Sequence, residues 1–201
     1  MENRRKFYTG GLWASDTMEQ RYDHIKWALD NQNNLDEDEL KFIIKNGFVS
    51  KIYISEGVVK KYKPSDFGTQ ANLFNEILKG KNNVLGTDVF DICKAVESRG
   101  KANTKGIIIE HVVPAKVYLG DVKEKYAHKM FTFDYFKKVF DAVSICLVSK
   151  KQDASLNRFK STMPLGYEDF IRYPFARYDN KLGGVKIDVH GPWTMKNGRL
   201  I

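Results

Sequence analysis

The sequence has 201 residues, of which 42% are hydrophobic and 29% are charged, with a formal net charge of +8 at pH 7. This composition is close to the average of globular proteins, so it excludes a disordered, collagen-like or repeat-built chain. No apolar run approaches the ~20 residues of a membrane span, and the N-terminal residues lack the apolar stretch of a signal peptide. The sequence therefore predicts one cytoplasmic globular domain, or one domain with an extension, and no membrane partner.

The surplus of positive charge lies wholly in the second half of the chain. Residues 1–100 contain 15 Lys and Arg and 15 Asp and Glu, whereas residues 101–201 contain 18 and 10. Basic and aromatic residues also interleave in the second half, most densely from Arg172 to Tyr178. Because such a mixture can pair phosphates and stack bases, it favours a polyanionic partner, with DNA expected and RNA not excluded.

The first hundred residues are predicted to be mainly helical. Apolar residues at helical spacing predict a helix over 15–30, and an acidic first turn at Asp36 predicts a second helix that stops at Asn46-Gly47. The stretch 48–62 alternates in polarity and is rich in β-branched residues, which predicts a hairpin turning at Glu56-Gly57.

Two further helices and a boundary are predicted in the rest of this half. The helices are expected over 70–78 and 88–98, separated by a turn rich in Gly, Lys and Asn. A polar, glycine-bounded loop over 99–106 is the predicted boundary between the two halves.

The second half begins with a β-branched run, Ile107 to Ile109, that is followed by Glu110-His111. This predicts a strand that ends before Pro114, because proline cannot sit in a central strand. A helical insert is expected next, most clearly over 131–140, and then a second strand over 143–148.

A third element follows the second strand directly. Ser149 and Gln152 have the spacing of a capping box, which predicts a helix that begins there and is closed by Met163-Pro164. Asp153 and Asn157 are four residues apart on this helix, so they share a face.

This order of strand, Glu-His, strand and capped helix resembles the ββα-metal (HNH) endonucleases, over roughly residues 105–164. The segment Glu110-His111-Val112-Val113-Pro114 is similar to the acid-His-x-x-Pro opening of that family, and Cys146 to Met163-Pro164 is similar to its strand-and-helix close. The resemblance implies an α+β fold, with a mainly helical region over 1–100 followed by an HNH-like core with a helical insert over 101–201. It implies a metal-dependent DNA endonuclease of the restriction, phage or mobile-element type.

The resemblance and the chemistry of phosphodiester hydrolysis assign a role to each candidate residue. His111 would be the general base, and Glu110, Asp153 and Asn157 would bind one Mg²⁺ or Mn²⁺ ion, with Glu110 and Asp153 also catalytic. Gln152, Asp153 and Asn157 compete for the helix position that the family usually fills with Asn or His. Asp153 is preferred, because the capping box uses Gln152 and a carboxylate binds a hard cation better than an amide does.

One geometric condition applies to this site. Adjacent residues on a regular strand point to opposite faces, so Glu110 and His111 can share a site only if the strand is already turning there.

Phosphate contacts are expected from five residues of the second half: Lys150, Lys151, Arg158, Arg172 and Arg177. Residues 1–100 would then supply recognition or the contacts of a homodimer. The alternative function is a non-catalytic nucleic-acid-binding protein that uses the same basic and aromatic half without chemistry.

Overall fold

The computed structural model of the chain describes residues 17–49, 51–62, 107–196 and 199–200. Within these ranges the fold is α+β, with six α-helices and a mixed β-sheet. The helices predicted over 70–78 and 88–98, and the loop over 99–106, lie outside the described residues. None of the described helices is both long and apolar enough to span a membrane.

The first two predicted helices are confirmed, and local side-chain caps fix where they begin. α1 spans Met18–Asp30, and its first turn is closed by a capping box between Thr17 and Gln20. α2 spans Glu37–Gly47 and begins after the N-cap Asp36, whose side chain accepts a hydrogen bond from a backbone N–H of the first turn. Such caps satisfy N–H groups that have no partner within the helix.

The hairpin predicted over 48–62 is wrong. The chain forms one strand, β1 over Lys51–Ser55, and then a helix, α3 over Glu56–Tyr62. The hydroxyl of Ser55 accepts a hydrogen bond from the backbone N–H of Val58 at 3.4 Å, which starts the helix where a turn was expected. The strand needs no adjacent hairpin partner, because its partners come from the second half of the chain.

The strand, helical insert and second strand predicted for the second half are confirmed. β2 spans Ile107–His111, and the insert consists of two helices, α4 over Ala115–Ala127 and α5 over Phe133–Ala142. β3 spans Ile145–Ser149 and pairs with β2 in the antiparallel direction. The insert therefore joins two neighbouring strands.

The capped helix after β3 is also confirmed, although it is shorter than predicted. α6 spans Lys150–Leu156 and begins at a reciprocal capping box between Ser149 and Gln152. It ends before the predicted stop at Met163-Pro164, because the next three residues, Asn157–Phe159, tighten into a 3₁₀ turn.

The sheet joins the described parts of the two halves. Its strand order is β2-β3-β1-β4, where β4 spans Val189–Lys196, and the short β5, Arg199–Leu200, extends the sheet beside β4. β1 is parallel to β3 and antiparallel to β4. A strand of the first half thus lies between two strands of the second half.

Two groups of buried side chains hold these elements together. The larger group lies among α1, α2, α4 and α5 and includes Phe48, Tyr118 and Phe136. The smaller group lies where the antiparallel pair of β2 and β3, which we call the hairpin, meets α6. Its buried members are Val112, Cys146, Val148, Leu156, Tyr178 and Ile187. This smaller core sets the position of α6 against the two strands.

Candidate functional site

The hairpin and α6 meet at the end of β2 that carries the Glu-His pair. Ile107 lies opposite Ser149 in the sheet, so α6 begins beside the first residue of β2. The seven residues of α6 cover about 10 Å, which equals the length of β2 from Ile107 to Glu110. α6 packs against both strands, and its last residue, Leu156, lies in the same buried group as Val112 and Cys146.

Arg177 joins the two ends at this place, which we call the hairpin–helix corner: Glu110, His111, Leu156 and Arg177. Nη1 of Arg177 donates a hydrogen bond to Oε1 of Glu110 at 2.7 Å and another to the backbone oxygen of His111 at 3.2 Å. Nη2 donates to the backbone oxygen of Leu156 at 3.4 Å. The Arg177 side chain is 1% exposed and that of Glu110 is 23% exposed, so the ion pair is largely shielded from water.

Glu110 and His111 lie on different faces of the sheet. The pairing of β2 with β3 stays regular to its last residue, where His111 lies opposite Ile145. Glu110 lies opposite Cys146 and shares the face of the smaller core, whereas the alternation of the strand turns His111 to the other face, where its ring lies 6.4 Å from that of Tyr118. The turn that a shared site requires does not occur before His111.

His111 is uncharged at neutral pH. Burial, together with the positive charges of Lys45 and Arg177, lowers the pKa of His111 to about 3. Its Nε2 atom is buried and makes no hydrogen bond within the part of the chain that the structure describes. The imidazole is therefore available as a proton acceptor in principle, but it is a weak base that water does not reach in this conformation.

Glu110 and Asp153 both act on Tyr178. Burial raises the pKa of Tyr178 well above its usual value, and Cys146 and the two carboxylates raise it further, while Arg177 opposes them. Both predicted carboxylates therefore act electrostatically on the same buried phenol. Nδ2 of Asn157 lies 3.5 Å from a carboxylate oxygen of Asp153, so the predicted shared face of these two residues is confirmed.

Gln152 has a structural role. Its Oε1 accepts hydrogen bonds from the backbone N–H of Ser149 at 3.0 Å and from the hydroxyl of Ser55 at 2.7 Å. It therefore caps α6 and ties that helix to the end of β1, which confirms the capping interpretation of this residue.

Among the residues that the structure describes, no group of three or more His, Cys, Asp or Glu side chains is arranged to hold a metal ion. Oε1 of Glu110, a predicted metal ligand, accepts a hydrogen bond from the guanidinium of Arg177.

Two of the five predicted phosphate-binding residues are committed to the protein itself. Arg177 is buried in the corner, and Arg158 donates a hydrogen bond to the backbone oxygen of Gly184 at 2.5 Å. Arg158 also stacks on Phe159, with the guanidinium carbon 4.5 Å from the ring centroid, and the residue as a whole remains exposed.

The other three predicted residues, Lys150, Lys151 and Arg172, are exposed and make no ion pair with a described residue. The guanidinium of Arg172 lies over the ring of Tyr173 at 5.1 Å. These cations are free to meet a partner.

Sequence reasoning missed the ion pair between Glu110 and Arg177 and the burial of Tyr178. One signal was present: Arg177 has the apolar neighbours Phe175 and Ala176 before it and an aromatic residue after it, and such a context favours burial of the segment. The partner of a buried arginine, by contrast, is a matter of tertiary contact.

Comparison of the chain with protein-family models, with curated proteins and with solved structures gave no match. The resemblance to ββα-metal endonucleases therefore depends on the motifs and topology of this chain alone.

Proposed function

We propose that this protein binds nucleic acid through exposed basic residues between positions 150 and 186. We call these the basic set, and its members are Lys150, Lys151, Lys160, Arg172, Lys181 and Lys186. All six are exposed, and none makes an ion pair with a described residue. This surplus of unpaired charge is the observation that carries the proposal.

Three lysines in the described part of the first half are paired instead. Lys26, Lys41 and Lys51 each lie within 4.0 Å of a carboxylate oxygen. Paired lysines of this kind are already partly neutralised, whereas unpaired lysines and arginines can neutralise phosphates and release the counterions that surround them.

Aromatic rings beside the basic set add a second mode of contact. Arg172 lies over Tyr173, and Arg158 lies over Phe159 close to Lys160. Planar guanidinium and aromatic groups at a surface can stack on bases as well as pair phosphates. The arrangement therefore supports binding that depends weakly on sequence.

The proposal is tested by fluorescence anisotropy with labelled duplex DNA, single-stranded DNA and RNA over a series of salt concentrations. For duplex DNA, log K decreases with log salt, and this slope should become less steep by about 0.9 for each phosphate contact removed. K150A/K151A should therefore reduce the steepness of the slope by up to ~2. K26A is the matched control, because Lys26 is paired with Asp30, and it should bind like the wild type. Binding that does not depend on salt concentration, or an equal reduction of the salt dependence in K26A, would contradict the proposal.

A second candidate function is an HNH-like endonuclease that cleaves the nucleic acid it binds. The observation that favours it is the ββα order itself: two antiparallel strands, β2 and β3, followed at once by a capped helix that packs against both. The charges of Glu110 on β2 and Asp153 on α6 both raise the pKa of Tyr178.

The chemistry of this candidate depends on changes on both faces of the sheet, because the His111 ring and the Glu110–Arg177 pair lie on opposite faces. Neutral His111 can accept a proton from water, but its Nε2 has first to become accessible. The guanidinium of Arg177 would be close to a phosphate only if Glu110 released it. No reaction step follows from the closed corner alone.

The second candidate is tested by incubating the protein with plasmid DNA or single-stranded RNA in the presence of Mg²⁺ or Mn²⁺, and again with EDTA. Cleavage that EDTA stops, and that falls by at least ~10²-fold in His111→Ala while anisotropy shows unchanged binding, would support the endonuclease. Loss of cleavage in Asp153→Ala would assign that carboxylate to the reaction. Binding without cleavage in the presence of either metal would contradict the endonuclease and support only the binding function.

A further inference from the structure

The hairpin–helix corner holds a positive charge among three acceptors that come from two elements, β2 and α6. The acceptors are the carboxylate of Glu110, the backbone oxygen of His111 at the end of β2 and the backbone oxygen of Leu156. Leu156 is the last residue of α6, where the helix dipole places partial negative charge. The corner is therefore electrostatically suited to a cation, and the guanidinium of Arg177 occupies it.

A carboxylate and two carbonyl oxygens are also ligands that a hard divalent ion would use. A guanidinium uses them differently, because it is planar and donates along several fixed directions at once. In this chain Nη1 serves two acceptors and Nη2 serves the third. The two terminal nitrogen atoms of the guanidinium thus share the three acceptors. A single spherical ion would instead contact all of its ligands from one position.

We infer that Arg177 is the resident cation of the hairpin–helix corner, and that Glu110 is its counter-ion instead of a ligand for Mg²⁺ or Mn²⁺. This inference does not depend on the proposed function. It concerns which cation the corner accepts, and it can be measured without any assay of activity.

The backbone beside the corner also holds the loop that carries part of the basic set. The backbone oxygen of Arg177 accepts a hydrogen bond from the N–H of Val185 at 2.9 Å, and that of Tyr178 accepts one from the N–H of Ile187 at 3.1 Å. The loop that carries Lys181 and Lys186 is therefore tied to the backbone at Arg177.

The first test compares Mn²⁺ binding by the full wild-type chain and by Glu110→Gln, measured as the EPR signal of free Mn²⁺. The two proteins should leave the same amount of Mn²⁺ free. Glu110→Gln should nevertheless lower the melting temperature by about 10 °C, because it leaves a buried guanidinium without its counter-ion. The control Arg172→Ala removes an exposed guanidinium and should leave the melting temperature unchanged.

The second test restores the missing cation. Arg177→Ala leaves Glu110 and the two carbonyl oxygens without a partner, so millimolar guanidinium or Mn²⁺ should raise the melting temperature of this variant and not that of the wild type. If Arg177→Ala does not fold, the Mn²⁺ comparison between the wild type and Glu110→Gln decides. Three outcomes would overturn the inference: wild-type Mn²⁺ binding that Glu110→Gln abolishes, an unchanged melting temperature of Glu110→Gln, or a folded Arg177→Ala that neither cation stabilises.

Discussion

The buried imidazole of His111 makes the stability of the fold depend on pH in a defined window. In the unfolded chain a histidine binds a proton below about pH 6.5. In the folded protein burial lowers the pKa of His111 to about 3, so the folded state stays unprotonated through that window. The unfolded state therefore binds more protons between about pH 6.5 and 3, and the free energy of unfolding falls as the pH is lowered across this range.

The magnitude follows from the two pKa values. The full window corresponds to at most about 5 kcal/mol, at 1.36 kcal/mol for each unit. Lowering the pH from about 7.5 to about 5 crosses less than half of it, which is expected to remove about 2 kcal/mol of stability through this residue. Lys45 and Arg177 are the charged groups that act on the ring, and both disfavour its protonation.

Urea denaturation at the two pH values measures this loss in the wild type, in His111→Gln and in His128→Gln. Subtracting the change in His111→Gln from that in the wild type removes the contribution of the carboxylates and should leave about 2 kcal/mol. His128 is exposed, so His128→Gln should follow the wild type. If His111→Gln does not fold, NMR titration of the wild-type ring gives the same test, and a His111 signal that titrates near pH 6.5 would refute the reasoning.

Two further substitutions test the packing around the corner, each by urea denaturation at neutral pH. Gly184→Ala should lower the free energy of unfolding by ~1–3 kcal/mol, because a Cβ there would overlap the backbone oxygen of Ala176. The control Gly120→Ala, in the open surface of α4, should raise the free energy of unfolding by up to ~1 kcal/mol, and equal effects of the two substitutions would contradict the close packing of Gly184 against Ala176. Gln152→Ala should cost ~1–2 kcal/mol, because it removes the acceptor of the Ser149 N–H and the Ser55 hydroxyl, and a loss no greater than that of the exposed control Asn157→Ala would count against this role.

The sequence marked candidate residues for the site but not the contacts that they make. Glu110, His111 and Asp153 were all predicted site residues, and the charges of Glu110 and Asp153 both act on Tyr178. The sequence does not reveal that Arg177, 67 residues away, binds Glu110. Because arginine is mostly exposed in proteins, the residue type alone favours a surface role, as was expected for phosphate binding.

The elements whose boundaries depend on neighbouring residues could be predicted from the sequence alone. The caps of α2 and α6 and the end of β2 are local, since each is set by hydrogen bonds or steric limits within about four residues. Where a local signal was ambiguous, as over 48–62, the alternating pattern alone favoured a hairpin, although the Ser55 cap begins a helix.

The pairing of the strands and the contacts between distant side chains depend on the tertiary fold and could not be predicted from local patterns. β1 lies between β3 and β4, strands that follow it by roughly ninety and more residues, and no local pattern encodes that order. The regular pairing of β2 with β3 then turned His111 away from Glu110, and the packing of the smaller core placed Arg177 against Glu110. The physical reason is that hydrogen bonding between strands and burial of charge depend on groups far apart in sequence, whose distances exist only in the folded chain.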